Sequence, residues 1–351
     1  MNLRIFFHFA LISVALVSCG GGKGDYVVVR GYAQGGEYSV KFNAEGITET
    51  PERIREEIDS ILLAIDNSVS GYNKGSILSR LNAGEPVVPD EIFERMYFAA
   101  CRFYDEYDGL VDAASGELFD LWGFGFKAGE FPDSAAVGNV LSSCGMDRLK
   151  RPDSLAALLR PDGKLYPEDL PVGGGKMPVL NFNAFAQGMS ADMVAEHLHS
   201  LGVKDMLVDI GEIFREGCNP AGRPWAVGVD APFDGNNTPG ANIQAVHHCP
   251  SEGGGLVTSG NYRKFYVRDG KKYSHTIDPR TGYPVQHNLL SATVEAPSSA
   301  EADAAATCCM VLGVEGAKAL IESKGYEALL LYDEGGEIRA WHSDGFEVTS
   351  N

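Results

Sequence analysis

Apolar and polar residues alternate from Asp25 to Phe42, DYVVVRGYAQGGEYSVKF, with glycines at the centre, which predicts a β-hairpin. The period then lengthens. Thr50 and Pro51 stand where a cap and a first-turn proline belong, and Ile54, Ile58, Ile61, Leu62 and Ile65 recur at helical spacing, so an amphipathic helix follows. SVSGYNKGSILSRLN breaks the pattern and reads as a loop. DEIFERMYFAACRFYDEY restores it as a second helix, with Phe93, Met96, Ala100, Phe103 and Tyr107 on one side. Residues near 132–178 are rich in Pro, Asp, Ser and Gly and read as a less regular insert of short helices and loops. Beyond it come an apolar segment ending in VLNFNAFAQG, a helix through MSADMVAEHLHSLG and a strand DMLVDIGEIFREG. Strands are expected at WAVGV, ANIQAVHH, GLVTSG, KFYVRDGKKYSHTID and LLSATVEA. Helices through AEADAAATCCMVLG and VEGAKALIESKG and a strand pair EALLLYDEGGEIRAWH complete the pattern. Helices and strands mix without regular β-α alternation, which predicts an α+β fold over a doubly wound parallel sheet.

The N-terminal residues follow a different logic. Arg4 supplies one positive charge, Ile5 to Val17 is almost wholly apolar, and LVSC closes the run at Cys19. Residues 1–18 therefore read as a signal peptide, since the run is short for a bilayer span. Cys19 after Leu-Val-Ser resembles a bacterial lipobox, in which that cysteine carries the lipid. Residues 19–25 form a glycine-rich tether, and 26–351 form the folded part. Together these features predict an exported lipoprotein, anchored in the membrane and facing the periplasm.

Composition narrows the partners. The chain is 44% hydrophobic and 22% charged, ordinary for a globular protein, but its formal charge is −19, which argues against a nucleic-acid partner. An anionic ligand would need a metal ion or backbone amides. Cys101, Cys144, Cys218, Cys249, Cys308 and Cys309 fit no zinc spacing or compact disulfide framework, and Cys308 and Cys309 read as small core residues.

Four stretches could carry chemistry. Asp303 and Thr307 lie one helical turn apart, where two oxygens could meet a hard cation; on spacing alone they read rather as a first-turn polar residue and a hydroxyl bonded to its own helix. In LNFNAFAQGMSADMV, Asn181, Asn183, Gln187 and Gly188 interrupt an apolar run just before a helix, whose free N–H groups attract anions, although neither a P-loop nor a GxGxxG is present. YDGLVDAASGELFDLWGFG sets small residues beside aromatics, suited to a flat ring or to a core turn around Trp122. Finally, Thr258, Ser259, Tyr262, His275 and Asp278 fall on neighbouring strands and a turn, where Ser259 and His275 could face each other, though no Gly-x-Ser-x-Gly elbow supports a serine hydrolase.

These pieces, in this order, resemble the ApbE-type FAD:protein FMN transferases. The resemblance runs from GYAQGGEYSV to CCMVLGVEGA, through SGYNKGSILSRLN, DGLVDAASGELFDLWGFG, NAFAQGMSADMV, VDIGEI, VTSGNYRKF, SHTIDPRTGYPV and EADAAATCCMVLG. It implies a T-fold-like arrangement of mixed, largely antiparallel sheets with flanking helices. It also implies a Mg²⁺-dependent enzyme that cleaves FAD and links FMN by a phosphoester to Thr or Ser of an exported flavoprotein. By the same resemblance Asp303, Thr307 and the Ala184 carbonyl hold Mg²⁺, and Gln34, Tyr72, Leu110, Val111, Asp112, Asn181, Gln187 and Ile277 contact FAD. His275 is the base for the acceptor hydroxyl, and Asp278 orients the turn or the histidine.

The chain departs from the family in places. Many relatives have Asp-Leu-Ser-Ala-Ile-Ala-Lys-Gly where this chain has Asn181 to Gly188, so an acid and a lysine become two amides. VDIGEI has one glycine where two are usual, and QGG replaces Met-Gly-Thr. Two other functions use the same residues: a Mg²⁺-dependent FAD pyrophosphatase yielding FMN and AMP, and a non-catalytic FAD-binding lipoprotein.

Overall fold

The computed structural model describes residues 24–125, 131–236, 238, 240–262, 265–268 and 270–350. The segment expected to form the signal peptide, Cys19 and residues 20–23 of the expected tether lie outside them. Strands β1 (Tyr26–Ala33) and β2 (Gly36–Asn43) form the expected hairpin, followed by helices α1 (Pro51–Val69), α2 (Ile77–Asn82) and α3 (Glu91–Glu106). Helices α4 (Gly116–Leu121) and α5 (Ser134–Leu141) come next, then short 3₁₀ turns, and α6 (Ala186–Ser200). Strands β3 (Met206–Asp209), β4 (Ile213–Glu216), β5 (Ala226–Asp230), β6 (Ile243–His248) and β7 (Gly254–Gly260) lead to β8 (Phe265–Arg268) and β9 (Lys271–Ser274). The chain continues through β10 (Ile277–Asp278), β11 (Tyr283–Pro284), β12 (Leu289–Ala296), α7 (Ser299–Lys324), β13 (Glu327–Glu334), β14 (Glu337–His342) and β15 (Val348–Ser350).

The main sheet has eight strands in the order β1-β2-β3-β4-β7-β12-β13-β14, and every neighbouring pair is antiparallel. This is the predicted α+β class. Helix α7 lies on β7 and β12, and α6 lies on α7. By length and composition α7 could cross a membrane, but it is a core helix here, with Ala302, Ala304, Ala305, Ala306, Cys308 and Cys309 fully buried. Its glycine-free first half ends at Gly313, whose φ of 73° breaks the run where two helices were expected.

Three expectations need correction. SVSGYNKGSILSRLN is not all loop: Ser76 accepts a hydrogen bond from the Ser79 amide, and Leu78 and Leu81 are buried, which is enough to hold α2. DMLVDIGEIFREG is a hairpin, β3–β4, and not one strand. Gly211, at φ +102°, turns the chain where any side chain would be strained. KFYVRDGKKYSHTID divides likewise into the hairpin β8–β9 and the start of β10.

A three-stranded sheet, β15-β6-β5, is tied to the main sheet by buried charge. Glu295 of β12 meets Arg215 of β4 at 2.6 Å and His247 of β6 at 2.7 Å, while the His247 ring stacks on Phe346. Burial pulls the His247 pKa down, but hydrogen bonds with Cys249 and Glu295 outweigh that and lift it to about 9.

Candidate functional site

The start of α6 packs end-on against the start of α7. A Cβ on Gly188 would lie 2.2 Å from the Ser299 carbonyl oxygen, so only glycine permits this approach. Asp192 strengthens the contact by accepting from the Ser299 and Ala300 amides at 2.7 and 2.9 Å, satisfying donors that the α7 N-terminus leaves unpaired. Asp303, one turn into α7, is thereby brought beneath the α6 N-terminus, and its Oδ2 accepts the Gly188 amide at 3.1 Å. That carboxylate is 5% exposed. Burial, with the Asp192 charge behind it, pushes its pKa well above the carboxylate range, against the lowering effect of the Gly188 amide.

The same contact leaves oxygens unused. In a regular helix the Gly188 amide would bond to the Ala184 carbonyl; here it goes to Asp303, and Ala184 accepts no hydrogen bond among the described residues. Thr307 follows Asp303 by one turn and is half-buried. Three oxygen donors with free lone pairs, one of them a buried acid, suit a small hard cation such as Mg²⁺. Among the described residues there is no group of three or more His, Cys, Asp or Glu that could hold a metal.

Several other predicted residues have partners of their own or stand in the open. Gln34 occupies the left-handed first position of the two-residue β1–β2 turn, at φ 52°, and its side-chain amide donates to Ser190 Oγ on α6 at 2.7 Å. Gln187 donates to the Ile210 carbonyl at 3.3 Å, and a Cβ on Gly211 would come within 2.9 Å of its Nε2, which explains why the one glycine of VDIGEI sits there. Asn181 Oδ1 accepts from the Asn183 amide at 2.9 Å. The two amides that replace the usual acid and lysine therefore each have a backbone partner. Tyr72 stands on the turn before α2 and is 65% exposed.

The segment Leu110–Asp112 is laced to the same region. Asn181 donates to the Ala113 carbonyl at 2.7 Å, and Gly116 to that of Val179 at 3.0 Å. Asp112 faces inward: its carboxylate accepts from the Ala114 and Met146 amides, and burial raises its pKa to about 6. It also borders a cavity of about 410 Å³ together with Asp105, Asp108, Asp147, Arg148 and Arg280. Asn82, which the sequence reading passed over, clamps Leu180 by accepting its amide and donating to its carbonyl. Only its reach across 98 residues reveals this role.

His275 emerges at the end of β9, half-buried, its ring 6.5 Å from that of Phe124. Ile277 is buried with Trp122 and Val137. Trp122 proves to be a core residue whose indole N–H donates to the Gly282 carbonyl at 2.8 Å, pinning the turn after β10. Asp278 is held by Arg280 through its backbone and guanidinium, at 2.9 to 3.0 Å, and so braces the turn. Ser259 lies on β7, whose neighbours are β4 and β12, so it does not share a sheet with β8 and β9 and the meander imagined for a serine hydrolase does not form.

Comparison with known proteins bears on the family and the fold. The model of the ApbE family matches residues 34–330. The FAD:protein FMN transferase of Escherichia coli K12 is 32% identical over 300 residues, spanning 84% of this chain and 81% of its own length. That of Vibrio cholerae is 28% identical over 342 residues, 96% of this chain and 97% of its own. Among solved structures, the flavin transferase ApbE from Vibrio cholerae superposes with a TM-score of 0.74 at 28% identity, covering 92% of this chain and 98% of its own. The apo flavinyl transferase ApbE of Pseudomonas stutzeri gives 0.75 at 29% identity, covering 91% and 95%. A family model that spans most of the chain and a relative 32% identical over most of both lengths place it: the chain belongs to the ApbE family.

Proposed function

We propose that this protein is a Mg²⁺-dependent FAD:protein FMN transferase that attaches FMN to a Thr or Ser hydroxyl of an exported flavoprotein. The observation that carries the reading is the buried Asp303 carboxylate, which takes the Gly188 amide that the Ala184 carbonyl would otherwise accept and so leaves that oxygen unused, in a chain of charge −19. Bound to Ala184, Asp303 and Thr307, Mg²⁺ would supply positive charge to the pyrophosphate of FAD. The chain's own groups do the rest. Gln34, Gln187, Asn181, Tyr72, Leu110, Val111, Asp112 and Ile277 are assigned to FAD. His275 takes the proton of the acceptor hydroxyl as its oxygen bonds to the FMN phosphorus; the P–O–P bond breaks and AMP leaves with the electron pair. An imidazole can accept that proton, and general-base help of this kind is worth about a hundredfold or more.

The N-terminal pattern supports a further part of the proposal: export, removal of residues 1–18 and lipid attachment at Cys19, so that the enzyme meets its acceptor outside the cytoplasm. The test is to incubate protein lacking residues 1–19 with FAD, Mg²⁺ and a candidate acceptor domain. Fluorescent acceptor on a denaturing gel is expected. Free FMN and AMP without labelling would point instead to a pyrophosphatase, and bound but intact FAD would leave only a carrier.

A further inference from the structure

Hairpin β8–β9 stands as its own two-stranded sheet, so each strand has an edge without a strand neighbour. Arg268 and Lys271 pair at the turn end and close the ladder. Alternation then turns the backbone groups of Phe265 and Val267 outward on β8, and those of Lys272 and Ser274 outward on β9. Gln286 confirms the parity, since its side-chain amide donates to the Lys272 carbonyl at 3.0 Å and so covers the β9 edge. The β8 edge has no such cover among the described residues. Among the described residues nothing outside the hairpin hydrogen-bonds to the backbone of Phe265 or Val267, and Val267 is 62% exposed. An uncovered strand edge is a template for another extended chain.

Two further features say which chain. Phe265 pairs with Ser274, and His275 follows Ser274 directly, so the open edge begins across β8 from the residue before His275. The hairpin is also held in place against it: Tyr266 stacks on Phe124 at 5.0 Å and on Tyr273 at 5.6 Å, and Phe124 touches the His275 ring edge-on. By sequence, Arg263 to Lys272 carries five cations against one acid in a chain of net charge −19. We propose that an extended, acidic segment of the acceptor protein adds as a strand to the outer edge of β8, and that this delivers its Thr or Ser to His275. The proposal rests on the transferase reading above.

Val267→Pro tests it. Proline removes an N–H that points away from β9, so the β8–β9 ladder keeps its bonds while an added strand loses one and meets the ring. With an acceptor domain that the wild type labels, KM for the acceptor is expected to rise about tenfold or more, while FAD affinity by flavin fluorescence stays within about twofold. Arg268→Glu is expected to raise the same KM, by a factor that shrinks with added salt. An unchanged acceptor KM in Val267→Pro would overturn the proposal, as would a parallel loss of FAD affinity, which would make this edge part of the flavin site. If Val267→Pro fails to fold, Arg268→Glu decides by the same two readouts. A wild type that binds FAD but labels no acceptor refutes the transferase reading itself, and the docking edge falls with it.

Discussion

Replacing Gly188 by alanine tests the packing on which the candidate metal centre depends. The added Cβ would sit 2.2 Å from the Ser299 carbonyl oxygen, 2.6 Å from its carbon and 2.9 Å from the Ala300 nitrogen, all backbone atoms that cannot rotate away. Relief requires α6 and α7 to part by roughly 1 Å, the gap between that contact and an ordinary one. Overpacking of this kind costs about 1–3 kcal/mol, or roughly 2–10 °C in Tm. The same movement stretches the Gly188–Asp303 hydrogen bond. Half-saturation of turnover by Mg²⁺ should therefore shift about tenfold or more to higher concentration, the usual penalty for disturbing groups that orient ligands. Gly138→Ala is the control: it lies in α5 with no atom within 4 Å of an added Cβ, and alanine there should leave Tm unchanged or slightly raised. Thermal unfolding and a Mg²⁺ titration of FAD cleavage measure both effects. If Gly188→Ala behaves like Gly138→Ala in both assays, the close approach of α6 to α7 is not what places Asp303.

Three further outcomes are expected. Asp303→Asn removes the charge that holds the cation but keeps an acceptor for the Gly188 amide, so metal-dependent turnover should vanish with the fold retained; full turnover in Mg²⁺ would remove the assignment. His275→Ala should slow acceptor labelling about a hundredfold without weakening FAD binding, and labelling at the normal rate would end its role as base. His247 binds its proton more tightly folded than unfolded, its pKa rising from 6.5 to about 9. Its contribution is thus complete below pH 6.5 and lost as pH climbs through about 9. Denaturant unfolding across that window should show the wild type losing an advantage of about 3 kcal/mol over His247→Gln, and a pH-independent difference would contradict the pairing with Glu295.

Much of this protein could be read without its structure wherever local rules decide. Periodicity of two and of 3.6 located the β1–β2 hairpin, α1, α3 and the α+β class, because one face of each element must be buried. Thr50 and Pro51 marked the start of α1 because capping involves only a few neighbouring residues. Asp303 and Thr307 could be placed on one helical face, yet spacing alone left them as structural as any polar pair. Tertiary contact decided what local pattern could not: that Gly188 and Asp303, 115 residues apart, share a hydrogen bond, and that the Ala184 carbonyl is left free as a result. It also separated Ser259 from the β8–β9 sheet and left one edge of that hairpin open among the described residues. Strand order and helix-end packing depend on which distant surfaces meet, and composition or spacing along the chain carries no distance between residues far apart in sequence.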